Sequence, residues 1–126
     1  MRLLLAEDDA MIGESVCRGL RQDGFAVDWV RDGRAAEVAL AEEVHDLVLL
    51  DLNLPDMNGV EILAMLKGDE KLKRAPVVVL TTTDDQREVQ RCYDLGANVY
   101  ITKPVEYESF SQAIRQLGLF LSVIQV

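Results

Sequence analysis

The sequence predicts an α/β fold of five βα units, a doubly wound sheet of five parallel strands. Three observations point there. Short apolar runs recur along the chain as LLLA, DLVLL and VVVL, the pattern of strands buried on both faces of a parallel sheet. Amphipathic stretches of helix length lie between them. No low-complexity linker interrupts the alternation, and 126 residues suit one domain, read here as 1–126.

The first strand is read at Arg2–Ala6 and the first helix at Ala10–Asp23, closed by Asp23-Gly24. A second strand, Phe25–Val30, leads through Asp32-Gly33 into a helix at Gly33–Glu42. The third strand, Asp46–Leu50, precedes a helix at Gly59–Lys67 and a solvated connector, GDEKLKRAP. The fourth pair is Pro76–Leu80 with Asp84–Leu95, ended by Leu95-Gly96, and the fifth is Ala97–Ile101 with Tyr107–Leu117. Right-handed crossovers then give a three-layer sandwich of flavodoxin-like strand order 2-1-3-4-5, with functional residues beyond the carboxyl ends of the strands.

A net charge of −9, from 22 acidic and 13 basic residues, argues against direct binding to nucleic acid. Cys17 and Cys92 lack any metal-ligand or CxxC spacing and read as reduced helix fillers in the cytoplasm. The first apolar run is followed at once by Glu7, Asp8 and Asp9, unlike a signal peptide. The apolar end LGLFLSVIQV is too short to span a bilayer. A cytoplasmic protein with no membrane partner is expected.

Polar residues gather at four of the five strand ends: Glu7, Asp8 and Asp9; Asp51 and Asn53; Thr81; Lys103. Asp9 reads equally well as a helix cap. Asp51 closes the apolar run DLVLLD, and a carboxylate at the mouth of a buried strand needs partners to offset its desolvation. Glu7, Asp8 and Asp51 together make an anionic cluster whose all-oxygen donors suit Mg²⁺ or Mn²⁺. A carboxylate nucleophile, a hard cation, a hydroxyl and a lysine are the parts for phosphoryl transfer to Asp.

The segments LLLAEDD, LVLLDLNLPDMNG, VVVLTTT and GANVYITKP are similar, in order and spacing, to those of the response-regulator receiver family. The resemblance runs the length of the chain. It implies a two-component switch in which a sensor histidine kinase or phosphotransfer protein phosphorylates Asp51, and a downstream protein target reads the result. It further implies that Asp8 is a direct metal ligand, that Glu7 acts through water, and that Asn53 offers its backbone carbonyl. Thr81 resembles the switch hydroxyl, Tyr100 the switch aromatic and Lys103 the family's lysine, followed by a cis bond to Pro104. The phosphorylated form would signal through the face of the fourth helix, fifth strand and fifth helix. Such a domain catalyses only its own phosphorylation and dephosphorylation.

Thr82 departs from the small residue many receivers carry there, and a bulkier side chain narrows access to Asp51. The stretch through EILAML resembles receivers attached to winged-helix domains. The rest resembles stand-alone receivers, including those paired with phytochrome-type kinases. A single-domain regulator is the preferred reading, with a truncated regulator or an engineered hybrid as alternatives.

Two rival functions are weighed. A haloacid dehalogenase-class phosphatase also uses an Asp nucleophile with Mg²⁺, but Asn53 stands where that class has a second acid and cannot serve as general acid or base. A degenerate docking module would lack the Asp, Thr or Lys that are present here. His45, Trp29, Met11, Met57 and Met65 read as packing or surface residues. The stripe Phe110, Ile114, Leu117 and Leu121 reads as core or as a homodimer surface.

Overall fold

Leucine and valine runs too apolar to leave either face in water lie side by side at the centre of the molecule. The computed structural model describes residues 1–82 and 85–103 together with Glu108 and Gln112. Their elements are β1 (Arg2–Ala6), α1 (Ala10–Gln22), β2 (Ala26–Val30), α2 (Gly33–Leu40), β3 (Leu47–Asp51), α3 (Gly59–Gly68), β4 (Val77–Thr81), α4 (Gln86–Asp94) and β5 (Val99–Thr102). The strands form one parallel sheet in the order β2-β1-β3-β4-β5, as expected. Apart from Glu108 and Gln112, the expected fifth helix falls outside the described residues, as do its apolar stripe, Asp84 and Pro104.

Alternation along each strand divides the core in two. Leu3, Leu5, Leu47, Leu49, Val78 and Leu80 pack with Val16, Cys17 and Leu20 of α1. Leu4, Ala6, Val48, Leu50, Val77 and Val79 pack with Ala36 and Leu40 of α2, Ile62, Leu63 and Leu66 of α3, and Cys92 of α4. Each fully buried leucine contributes about 1.5–3 kcal/mol. Helices on both faces make the sheet doubly wound, and both cysteines are buried helix fillers.

The helices begin where short polar side chains cap them. Asp9, Asp32, Asn58 and Asp85 each accept a backbone N–H of the following first turn. β3 and β4 run one residue later than the apolar runs suggest, because backbone pairing carries on through the polar residue: Asp51 pairs with Leu80, and Leu52 N donates to Leu80 O at 3.1 Å. α2 ends early, at Leu40, before Glu43 turns the chain with a φ of 58°. His45 is indeed a packing residue, its side chain 2% exposed and its Nε2 2.8 Å from Asp28 Oδ2. Among the described residues no helix is long and apolar enough to cross a membrane.

Candidate functional site

In a parallel sheet every strand delivers its last residue to the same edge, so β1, β3, β4 and β5 place their terminal side chains around one cleft. Glu7 follows β1, Asp51 ends β3 and Thr81 ends β4, and all three are fully buried. Asp8 is half-buried. One oxygen of each of Glu7, Asp8 and Asp51 can be chosen so that all lie within 4.8 Å of one another. Lys103 follows β5, with its backbone N donating to Thr81 O at 2.7 Å. Its ammonium lies 2.6 Å from Glu7 Oε1 and 3.2 Å from Asp51 Oδ2.

Three carboxylates therefore face one ammonium. Burial raises the Glu7 carboxyl, and the neighbouring Asp51 raises it further against the opposing pull of Lys103, to about 8. Asp8 is raised for the same reasons, burial first and then Asp51. Burial works to lower Lys103, but its bond to Glu7 and the nearby Asp51 outweigh it and hold the ammonium above its usual value. A proton kept at Glu7 is the cluster's substitute for missing positive charge.

The donor set fits a hard divalent cation. Glu7 Oε2 is buried without a hydrogen-bond partner, and Asp51 Oδ2 has none beyond its ion pair with Lys103. Such atoms are costly when left unmatched, and all-oxygen ligands suit Mg²⁺ or Mn²⁺. Asp51 Oδ1 is already engaged, accepting Asn53 N at 3.0 Å.

Glycine lets the backbone close behind Asp51. A Cβ on Gly59 would lie 2.6 Å from Asp51 O and 2.7 Å from Leu52 Cα, so only this residue allows α3 to start against the end of β3.

Asn53 is exposed, and its Nδ2 donates to Thr82 Oγ1 at 3.2 Å. The two side chains thus meet beside Asp51, where the sequence placed a narrowing by Thr82. Tyr100, on β5, is half-buried and stacks at a tilt on Tyr93 of α4, centroids 6.5 Å apart. Asp9 stays outside the cluster as the cap of α1.

Sequence reading missed two contacts. Asp56 accepts Gly33 N at 2.7 Å and Arg34 N at 3.0 Å, fastening the loop after β3 to the start of α2; these N–H groups hold its carboxyl below the usual range. Trp29, read as a gap-filler, also donates its indole N–H to Glu7 O. No local motif announces either contact, since each joins residues 22 or 23 positions apart.

The sequence model described as "Response regulator receiver domain" matches residues 3–115. Response regulator protein PmrA of Pseudomonas aeruginosa is 41% identical over 117 residues, 93% of this chain and 52% of that protein. Several other curated relatives are named transcriptional regulatory proteins, and the chain spans about half the length of the curated relatives it matches. A receiver domain from Rhodospirillum rubrum, 50% identical, superposes with a TM-score of 0.79 over 100% of this chain and 96% of that one. The Mn²⁺-bound form of response regulator Rcp1, 34% identical, does so with a TM-score of 0.80 over 95% of this chain and 93% of that one.

Proposed function

This chain belongs to the response regulator receiver domain family, and from that premise we propose that Asp51 is its phosphoacceptor, served by a Mg²⁺ or Mn²⁺ site at Glu7, Asp8, Asp51 and the backbone carbonyl of Asn53. The observation that carries the proposal is the convergence of three carboxylates and Lys103 at the ends of β1, β3 and β5. The Mn²⁺-bound state of Rcp1 supports the choice of ion.

In the proposed reaction a carboxylate oxygen of Asp51 attacks the phosphorus of a phosphohistidine on the partner kinase. The N–P bond breaks, an O–P bond forms, and the product is an acyl phosphate. Bound in the cluster, the divalent ion supplies positive charge that offsets the transferring oxygens. Lys103, already 3.2 Å from Asp51 Oδ2, holds a second positive charge against them. The buried hydroxyl of Thr81 then turns to the phosphoryl group, and Tyr100 moves inward from its place on Tyr93.

The same chemistry makes the domain an agent of its own phosphorylation and dephosphorylation rather than an enzyme with turnover on other substrates. Asn53 in place of a second acid favours persistence of the acyl phosphate over the rapid hydrolysis of a phosphatase. We assign residues 1–126 to one receiver domain. Its proposed partners are a histidine kinase or phosphotransfer protein and a downstream protein bound at the face of α4 and β5. With a net charge of −9, these residues are proposed to address protein rather than nucleic acid, whatever output the longer transcriptional relatives carry.

A radiolabelled small phosphodonor tests the assignment. The wild type is expected to take up label with Mg²⁺ and not with chelator, and Asp51→Asn to take up none. Equal labelling of Asp51→Asn would remove Asp51 from the reaction.

A further inference from the structure

We propose that Trp29 and Arg31 are positioning residues that hold the acidic pair Glu7–Asp8 in cation-binding geometry before any ion arrives. The proposal rests on the cation-site reading above and extends it to side chains that donate nothing to the ion.

The sheet stops holding the chain just where the acidic pair begins. Glu7 N still donates to Val30 O at 3.0 Å, continuing the β1–β2 ladder. The next two carbonyls are held by side chains instead: Trp29 Nε1 donates to Glu7 O at 3.0 Å, and Arg31 Nη2 donates to Asp8 O at 3.0 Å. The two donors also support each other, the Arg31 guanidinium carbon lying 5.7 Å from the centre of the Trp29 ring. α1 makes room for the indole: a Cβ on Gly13 would lie 2.2 Å from Trp29 Cζ2 and 2.7 Å from Nε1. Gly13, Trp29 and Arg31 thus form one assembly behind the acidic loop.

Its consequence is electrostatic. Repulsion between Asp8 and Asp51 pushes the acidic loop away from the end of β3, and a loop free to yield would move in the absence of an ion. Gripping both carbonyls from β2 opposes that movement and keeps the carboxylates converged. Supporting contacts of this kind commonly set metal affinity by 10–100-fold. Removing them lets the loop relax, so the ion must reorder it.

The experiment is Mg²⁺ binding by titration calorimetry to the full chain, as wild type, Asp8→Asn, Trp29→Phe, Arg31→Met and Arg31→Lys. Trp29→Phe keeps an aromatic ring but loses the N–H, and Arg31→Met keeps the apolar stem. Each is expected to weaken Mg²⁺ binding by about tenfold, with Arg31→Lys recovering most of the loss because an ammonium can reach the same carbonyl. The chain has a single tryptophan, so one indole N–H resonance reports the contact; it is expected to shift when Mg²⁺ binds. Should Trp29→Phe fail to fold, as judged by metal-free thermal unfolding, the exposed Arg31 carries the test through its Met and Lys variants. Wild-type affinity in Trp29→Phe and Arg31→Met, alongside lost binding in Asp8→Asn, overturns the positioning role alone. Unaltered binding in Asp8→Asn, or none in the wild type, overturns the cation site and this proposal with it.

Discussion

Glu7, just past β1, and Lys103, just past β5, meet in a 2.6 Å hydrogen bond donated by the ammonium, with side chains 0% and 8% exposed. The pair joins residues 96 positions apart, yet it does not neutralise its surroundings, because Asp51 and Asp8 share the same cleft. An excess of negative charge at a water-poor site governs most of what this receiver should do.

The first consequence is a pH dependence of stability without metal. Glu7 keeps its proton up to about 8 in the folded protein, against 4.5 ordinarily. Between those values the native state holds a proton that the unfolded chain has lost, so stability falls as pH rises. The raised Asp8 adds to the trend with the same sign. Thermal unfolding in chelator should show a lower Tm at about pH 8 than at about pH 6, and saturating Mg²⁺ should reverse or flatten the slope. A Tm that rises across this interval without metal would show that Glu7 is ionised throughout.

Asp8→Asn should have two opposite effects. Removing one of the clustered carboxylates is expected to raise metal-free stability by about 1 kcal/mol, the scale of a partly solvated like-charge contact. Losing a ligand should shrink the Mg²⁺ response, which in the wild type reaches about 2.7 kcal/mol at a hundredfold excess over Kd. Unfolding across a Mg²⁺ series at fixed ionic strength measures both. A variant that is less stable in chelator yet responds normally to Mg²⁺ would contradict the site.

Lys103→Ala leaves buried Asp51 without its cation and the Glu7 carboxyl without its donor. Breaking a buried pair from one side costs about 3–5 kcal/mol, and Mg²⁺ should restore part of it. Phosphorylation should still occur in this variant, but the Tyr100 ring, packed on Tyr93 in the unphosphorylated protein, should not respond. Ring resonances of Tyr100 that shift on phosphorylation as in wild type would assign the coupling elsewhere.

How much of this was legible in the sequence follows from which interactions are local. The strands were, because β1, β3 and β4 are short, largely apolar runs and β1 spans Arg2–Ala6 as read; the sheet order follows the doubly wound pattern expected of alternating βα units. The residues of the cleft were too, because a parallel sheet brings successive strand ends to one edge. Boundaries slipped at Asp51 and Thr81, where polar side chains stop the apolar pattern while the backbone ladder continues. The grip of Trp29 on Glu7 O and of Asp56 on α2 was not legible, since hydrogen bonds between distant loops leave no periodicity behind.

The contact between Asn53 Nδ2 and Thr82 Oγ1, 3.2 Å long, joins two side chains next to Asp51, whose Oδ1 accepts from Asn53 N. Thr82→Ala should therefore speed both labelling by a small phosphodonor and hydrolysis of the acyl phosphate, by several-fold, leaving Mg²⁺ affinity unchanged. Time courses of both reactions check this, and unchanged rates would show that access to Asp51 is not limited there.

The most direct test of the account is to locate the phosphoryl group. After reaction with a small phosphodonor or a partner kinase in Mg²⁺, peptide mass spectrometry should find a single modification on Asp51, labile to base and to hydroxylamine as an acyl phosphate is, and none when chelator is present. A phosphoryl group on any other residue, or on Asp51 without divalent metal, would contradict it.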